Sequence, residues 1–459
     1  MAADFNDPGA VDAGAVALLT DQYELTMAAS YLRRDRNDEA TFELYVRELP
    51  PNRGWLVAAG IGPTLRLIRE LRFERSALDY LASLGRFDDA FLDYLSGFRF
   101  SGDIDALPEG TVCFAGEPLV RVTAPRIEGQ LLETILLNQI GFQTLVATKG
   151  ARVALAAGGG EVGAGERVVD FSPRRDHGID AALKVARSAA VAGCGGTSNV
   201  LAAMLYGLRP VGTMAHSYVL SFDSEPEAFR AFIEDHPEAT ILLVDTYDTL
   251  EGVRNAIAAA RGAGKPLAGI RLDSGDLDSL SRSARSILDE AGMPEAQIAA
   301  SGDLEEEQIS RLVTAGAPID LWGVGTELGT SRDAPSLNVV YKLVADLRGG
   351  AWRGVRKLSA AKATLPGRKQ VWRRHLDGEL VEDVIALVDE DVDGEPLLVP
   401  VMRSGEEVGA ESLDAIRARS AAQLAALPAR LRRFDGDAAA APYPVALSPR
   451  LRELAAAGP

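Results

Sequence analysis

The chain has 459 residues, 47% of them hydrophobic and 25% charged, with a mean hydropathy of +0.02. This is the make-up of a globular protein, and it is more chain than one core can use. The net charge of −18 and a pI near 4.8 argue against nucleic acid or an anionic membrane as a partner. No apolar run approaches the roughly 18 residues of a membrane helix. Cys113 and Cys194, the only 2 cysteines, fit neither a disulfide framework nor a zinc spacing.

Residues 1–16 are acidic and rich in Gly and Ala. They read as a disordered tail without the basic or apolar stretches of a signal peptide, so the expected location is the cytoplasm. "TDQYELTMAASYL" (20–32) opens a helix and carries Tyr23 beside an acid. From 40 to 125, alternating runs such as "EATFELYVRELP" and "GTVCFAGEPLVRVTAP" predict strands, with helical "GPTLRLIRELRF" and "SALDYLASLG" between them.

The rhythm changes at about residue 165. Short β-branched runs that end in Gly, Ser, Asp, Thr or His alternate with amphipathic helical stretches: "RVVDF", "RPVGT", "ATILLVDTYD", "PLAGIRLDSGD", "QIAASGD" and "IDLWGVGTEL". Such strands predict a parallel sheet buried on both faces. An open sheet and a closed barrel both fit. Polar residues gather at the strand ends (Arg174, Thr213, His216, Asp245, Arg271, Asp273, Ser301, Asp303, Gly325, Thr326), and that favours a barrel with one functional rim. Strands return at 340–405, and "ESLDAIRARSAAQLAALPARLRRF" predicts terminal helices interrupted by Pro428.

The expected fold is therefore an irregular TIM-like α/β barrel with a second α+β domain built from the N- and C-terminal segments. The expected boundaries are 17–130 and 341–459 for the α+β domain, with 131–340 as the barrel.

Four stretches carry candidate chemistry. "ASGDLEEEQI" (300–309) and "WGVGTEL" (322–328) are Gly turns opening helices, where backbone N–H groups suit phosphate. "RLDSGDL" offers Arg271 as a fork donor for an anion, and Asp273 and Asp276 for a ribose diol or Mg2+, although Asp276 serves equally as a helix cap. "GTMAHSYV" (212–219) sets His216, one of 4 histidines, among small residues that leave room around the imidazole. "GCGGTSNVLAAMLYGL" (193–208) is a glycine turn with hydroxyls and an amide but no acid.

Together "LLTDQYELTMA", "TFELYVRELP", "DFSPRRDHG", "GTSNVLAAMLYG", "GTMAHSYV", "GIRLDSGDL", "WGVGTEL" and "SLNVVYKLV" resemble nicotinate phosphoribosyltransferase, in the family's order from about residue 18 to 345. "KATLPGRKQVWR" and "YPVALSPRL" extend the likeness towards the C-terminus. The resemblance implies transfer of phosphoribose from phosphoribosyl pyrophosphate to nicotinate in NAD salvage, with ATP as co-substrate through a phosphohistidine, Mg2+ as cofactor, and a homodimer with shared sites.

By motif, His216 matches the phosphorylated histidine and acts with Arg271 and Asp273 as the catalytic group. Tyr23, Thr213, Arg271 and Phe171 match nicotinate contacts, with Tyr23 reaching across the dimer. Arg174, Gly302, Asp303, Gly325 and Thr326 match the phosphoribosyl pyrophosphate contacts, and Lys342 and Arg47 match basic groups lent by the neighbouring subunit. A nicotinamide phosphoribosyltransferase of the same fold is the alternative; that relative uses an acid in the segment equivalent to "GCGGTSNV". A non-catalytic metabolite-binding protein on this scaffold is the reading from a different class.

Overall fold

The computed structural model describes residues 13–237, 240–357, 363–434 and 442–457. Most of the expected tail lies outside the described residues, and from Ala13 to Leu18 the chain forms a 3-10 helix rather than a disordered arm. The chain divides into two compact units, one holding 149–335 with 429–434, the other holding the remaining described residues.

The unit of 149–335 is built on a six-stranded parallel sheet. Its strand order is Gly196–Thr197, Val168–Asp170, Leu321–Val324, Gln297–Ala300, Gly269–Leu272, Ile241–Leu243. Helices Ile179–Val191, Glu225–Asp235, Thr249–Ala263, Leu277–Glu290 and Glu306–Thr314 alternate with the strands. Leu242, Leu243, Ile270, Leu272, Ile298, Trp322 and Val324 are buried, which is why these strands read as continuous apolar runs rather than alternating ones. The last strand returns to the first: Trp322 registers with Val168, and Val324 with Asp170.

Two expectations fail here. The sheet is not a closed barrel, because its edge strands Gly196–Thr197 and Ile241–Leu243 do not pair with one another. And "RPVGT" is no strand of this sheet; it contributes a single bridge, Pro210 to Thr197. Pro210 has no N–H to give a ladder, so pairing cannot propagate from it. The strand lies instead in the glycine turn, at Gly196–Thr197. A Cβ on Gly196 would sit 2.8 Å from the Arg209 carbonyl, so the 209–211 segment packs there only against a bare Cα.

The other unit interleaves the two outer segments. Its seven-stranded sheet runs Ala351–Gly354, Val339–Arg348, Glu39–Val46, Pro118–Pro125, Asp103–Ala106, Val399–Arg403, Glu406–Glu407. Glu39–Val46 therefore sits between a strand from each end of the chain, antiparallel to both. A smaller sheet contains Lys369–Leu376 and Glu379–Leu387. Arg373, fully buried, donates to both oxygens of Asp383 and to Gln423, which fastens helix Leu413–Ala426 to that sheet. Among the described residues no helix is long and apolar enough to cross a membrane.

Candidate active site

Because the six strands are parallel, their carboxyl ends share one edge of the sheet, and two groups of side-chain contacts lie along it. His216 begins the short helix His216–Val219, with exposed Ala215 and Ser217 on either side. Its Nε2 is 3.2 Å from Oδ1 of Asp245, a carboxylate only 1% exposed. The other Asp245 oxygen accepts from the Asp273 backbone N–H at 3.0 Å and from the Ser274 hydroxyl at 2.8 Å. Asp273 in turn accepts from the Ser301 hydroxyl through Oδ1. Asp245 thus fixes both the imidazole and the turn that carries Asp273.

Arg271, next on the strand Gly269–Leu272, donates through Nη1 to the Thr213 hydroxyl at 2.6 Å. Its Nε is buried without a hydrogen-bond partner among the described residues. Burial lowers the Arg271 pKa, and the like charge of Arg174 adds to that, against the carboxylates of Asp273 and Asp245. The like charge of Arg174 and the unpartnered Nε of Arg271 are both features that an anionic partner would offset.

Gly302 has φ +93°, and a Cβ on it would lie 1.9 Å from the Asp273 carbonyl oxygen, so no other residue fits that turn. Asp303 follows at φ +48°, and two successive left-handed residues point the backbone of this turn out of the ladder. Phe171 packs over Gly323, where a Cβ would come within 2.5 Å of the ring. Gly325 and Thr326 open the helix Thr326–Thr330 at the adjacent strand end. Asp276 caps helix Leu277–Glu290 by accepting from the Ser279 N–H, so the capping alternative accounts for it.

The "FSPRRDHG" loop hangs on a pair of carboxylates. Asp170 is buried and accepts from the Thr197 hydroxyl at 2.7 Å and from the Ser172 hydroxyl at 2.6 Å. Asp176 lies on the other side of the Ser172 oxygen at 3.0 Å. One hydroxyl proton cannot serve both acids. Burial first, and the Asp170 charge second, push Asp176 up to about 6 from a usual 3.8. The stability from its neutral form is complete below pH 3.8 and is lost as the pH rises through about 6. Asp176→Asn, which keeps a neutral partner for Ser172, is expected to gain stability relative to the parent at pH 8 over pH 4.5. The gain is on the order of 1 kcal/mol once the partial exposure of the group is allowed for. Thermal melts at the two pH values measure it; an identical difference in Tm at both would refute this assignment.

Tyr23, Lys342 and Arg47 lie in the other unit. Tyr23, near the start of helix Gln22–Arg33, is 47% exposed. Burial of part of the ring, then the charge of Glu133, raises its pKa. The same Glu133 carboxylate is 3.6 Å from Lys342 Nζ. Tyr23 and Lys342 are thus brought together through Glu133, which nothing in the sequence singles out. Arg47 follows strand Glu39–Val46, with its backbone N–H on the Asn338 carbonyl and its Nε buried without a partner among the described residues.

Asp245 and Ser301 stand out in the sequence only as polar residues at strand ends. The signal that each is a contact of the site is its register: each follows a parallel strand adjacent to the one that ends in Asp273. Among the described residues no cluster of three or more His, Cys, Asp or Glu side chains has the arrangement of a metal site.

Models of the nicotinate phosphoribosyltransferase family match the chain in three parts: the N-terminal domain over residues 18–141, the family domain over 167–377 and the C-terminal domain over 390–455. A nicotinate phosphoribosyltransferase of Mycobacterium tuberculosis, pncB2, is 47% identical over 439 residues, covering 95% of this chain and 92% of the relative. That of Bacillus subtilis is 42% identical over 395 residues, covering 83% of this chain and 78% of the relative. The crystal structure of human nicotinic acid phosphoribosyltransferase superposes with a TM-score of 0.83 at 29% identity, covering 95% of this chain and 99% of that one.

Proposed function

Because the chain belongs to the nicotinate phosphoribosyltransferase family, we propose that it converts nicotinate and phosphoribosyl pyrophosphate to nicotinate mononucleotide and pyrophosphate in NAD salvage, with ATP cleavage coupled through a phosphohistidine at His216. The observation that carries this reading is the edge that holds Thr213–Arg271, His216–Asp245 and Asp273–Ser301.

In the transfer, the pyridine nitrogen attacks the ribose C1 while the C1–O bond to pyrophosphate breaks and its electron pair leaves with the pyrophosphate. No proton has to move, so the residues act by position and charge. Arg271 holds the nicotinate carboxylate with Thr213 beside it, and Phe171 supplies an apolar wall. The Asp273 carboxylate stabilises the cationic sugar, and Arg174 with the turns at 302–303 and 325–326 takes the phosphates. In the coupled reaction, Asp245 accepts a hydrogen bond from the Nε2–H of His216, which holds the tautomer whose Nδ1 lone pair attacks the γ-phosphorus of ATP. The P–O bond breaks, ADP departs, and water later hydrolyses the phosphohistidine.

Mg2+, if bound, would be held by the carboxylates of Asp273 and Asp303 beside the phosphates. Asp273 commits one oxygen to Ser301, and Asp303 stands at the neighbouring turn. When bound, the ion neutralises the leaving group.

The "GCGGTSNV" segment favours nicotinate over nicotinamide. Thr197 and Asn199 both spend their side chains on the fold, at Asp170 and at the cap of helix Val200–Tyr206, and no acid of the segment is left to accept an amide NH2. Exposed Val200, Leu201, Met204 and Leu205 on that helix support a homodimer in which a second copy covers them. The deciding assay is nucleotide formation from each ring substrate with phosphoribosyl pyrophosphate, with and without ATP. The expected result is turnover of nicotinate, raised by ATP. Equal or greater use of nicotinamide would overturn the assignment.

A further inference from the structure

Behind the two phosphate turns lies a set of buried charges that the transfer reaction does not use. Lys149 is fully buried, and its ammonium bonds Glu306, bonds Asp333 at 2.9 Å and lies 3.9 Å from Glu327. Arg152, nearly a turn further along the same helix, donates to the second oxygen of Glu306 at 2.7 Å and to Glu307 at 3.3 Å. Arg332 meets the second oxygen of Glu327 at 3.2 Å.

The positions of the acids matter. Glu306 is in the first turn of the helix that follows Gly302–Asp303, and Glu327 is in the first turn of the helix that follows Gly325. A single ammonium therefore ties together the first turns of the helices after two adjacent strands, Gln297–Ala300 and Leu321–Val324. "LEEEQ" also sets Glu305, Glu306 and Glu307 in a row next to a turn meant for a polyanion. Left free, those carboxylates would repel it. Burial alone pushes the Glu306 carboxyl up, but Lys149 and then Arg152 reverse this and hold it below the usual range, charged and drawn into the interior.

We propose that Lys149 is a positioning residue for phosphoribosyl pyrophosphate. It fixes the spacing of the turns at 302–303 and 325–326 and holds the acids of their helices away from the phosphates. The inference rests on the reading that those turns bind phosphate.

The test compares Lys149→Met, Lys149→Arg, Glu327→Gln and Thr326→Val by steady-state kinetics. Lys149→Met is expected to raise the KM for phosphoribosyl pyrophosphate about tenfold or more and to leave the KM for nicotinate within about twofold, since misplacing a binding group by an ångström has effects of that size. Lys149→Arg should recover most of the loss. Glu327→Gln, on the rim of the network, should raise the same KM by about threefold and serves if Lys149→Met does not fold.

A lowered Tm with both KM values unchanged in folded Lys149→Met or Glu327→Gln would overturn the brace. So would a parallel rise in both KM values. Thr326→Val separates the two readings. If it leaves the KM for phosphoribosyl pyrophosphate unchanged, the phosphate assignment fails and the brace falls with it. If it raises that KM while the brace variants do not, the phosphate assignment stands and the brace alone is refuted.

Discussion

His216→Asn is expected to abolish the stimulation by ATP while nicotinate mononucleotide still forms at the ATP-independent rate. Asparagine is close to imidazole in reach, and its amide can still donate to Asp245, so the 273–274 turn keeps its anchor. What it lacks is a lone pair able to take a phosphoryl group. Acid-labile phosphate on the parent protein after incubation with ATP should vanish in the variant. An ATP response of normal size in His216→Asn would sink the phosphohistidine reading, even if transfer itself proceeded. Asp245→Ala makes a useful companion. It leaves His216 in place but removes the hydrogen-bond acceptor at Nε2 and frees Asp273, so both the ATP-coupled and the uncoupled rates should fall.

The second large effect is at Arg271. Replacing it with Leu removes the fork donor from the edge, leaves the Thr213 hydroxyl without its donor, and takes away a charge that balances Asp273 and Asp245. A fall of about 10²- to 10³-fold in kcat/KM is expected, the size seen when one preorganised charged donor is lost. Most of it should appear as a raised KM for nicotinate. Arg271→Lys should do little better, because a point ammonium does not reproduce the planar fork. Thr213→Val should cost only about tenfold, since it removes one neutral partner. Activity of Arg271→Leu within a few-fold of the parent would show that nicotinate binds elsewhere.

The parallel sheet and the polar residues at its strand ends were legible in the sequence for a physical reason. Strands buried on both faces must be apolar along their length, and the chain turns polar only where it leaves the sheet, so "ILLVD", "GIRLD" and "IAASGD" mark strand ends directly. Tertiary placement was not legible. Whether six short strands close into a ring depends on what lies between the edges. Here Pro210 ends the pairing after one bridge, while the strand itself hides in the Gly-rich "CGGTSN". Asp245 was visible only as one more strand-end acid, because a carboxylate that anchors a neighbouring turn has no local pattern. Lys149 and Glu133 were invisible for the same reason: both sit within an ordinary helix, and their partners Glu306 and Lys342 come from remote parts of the chain.

The strand order of the parallel sheet has a consequence for synthesis. Val168–Asp170 comes first in the chain yet lies inside the sheet, beside Leu321–Val324, which comes last. A nascent chain that has emerged through Ala300 holds two separate pieces of sheet: 168–170 with 196–197, and 241–300 with its three strands. Each presents an unpaired apolar edge to the other and to neighbouring chains. Only the emergence of 321–324 joins them. Chains ended between about residue 300 and residue 320 should therefore aggregate, and chains extended just past 330 should be the first in which this unit resists proteolysis. For this protein, the point of commitment to the fold is a four-residue strand near the end of the parallel sheet's own stretch of chain.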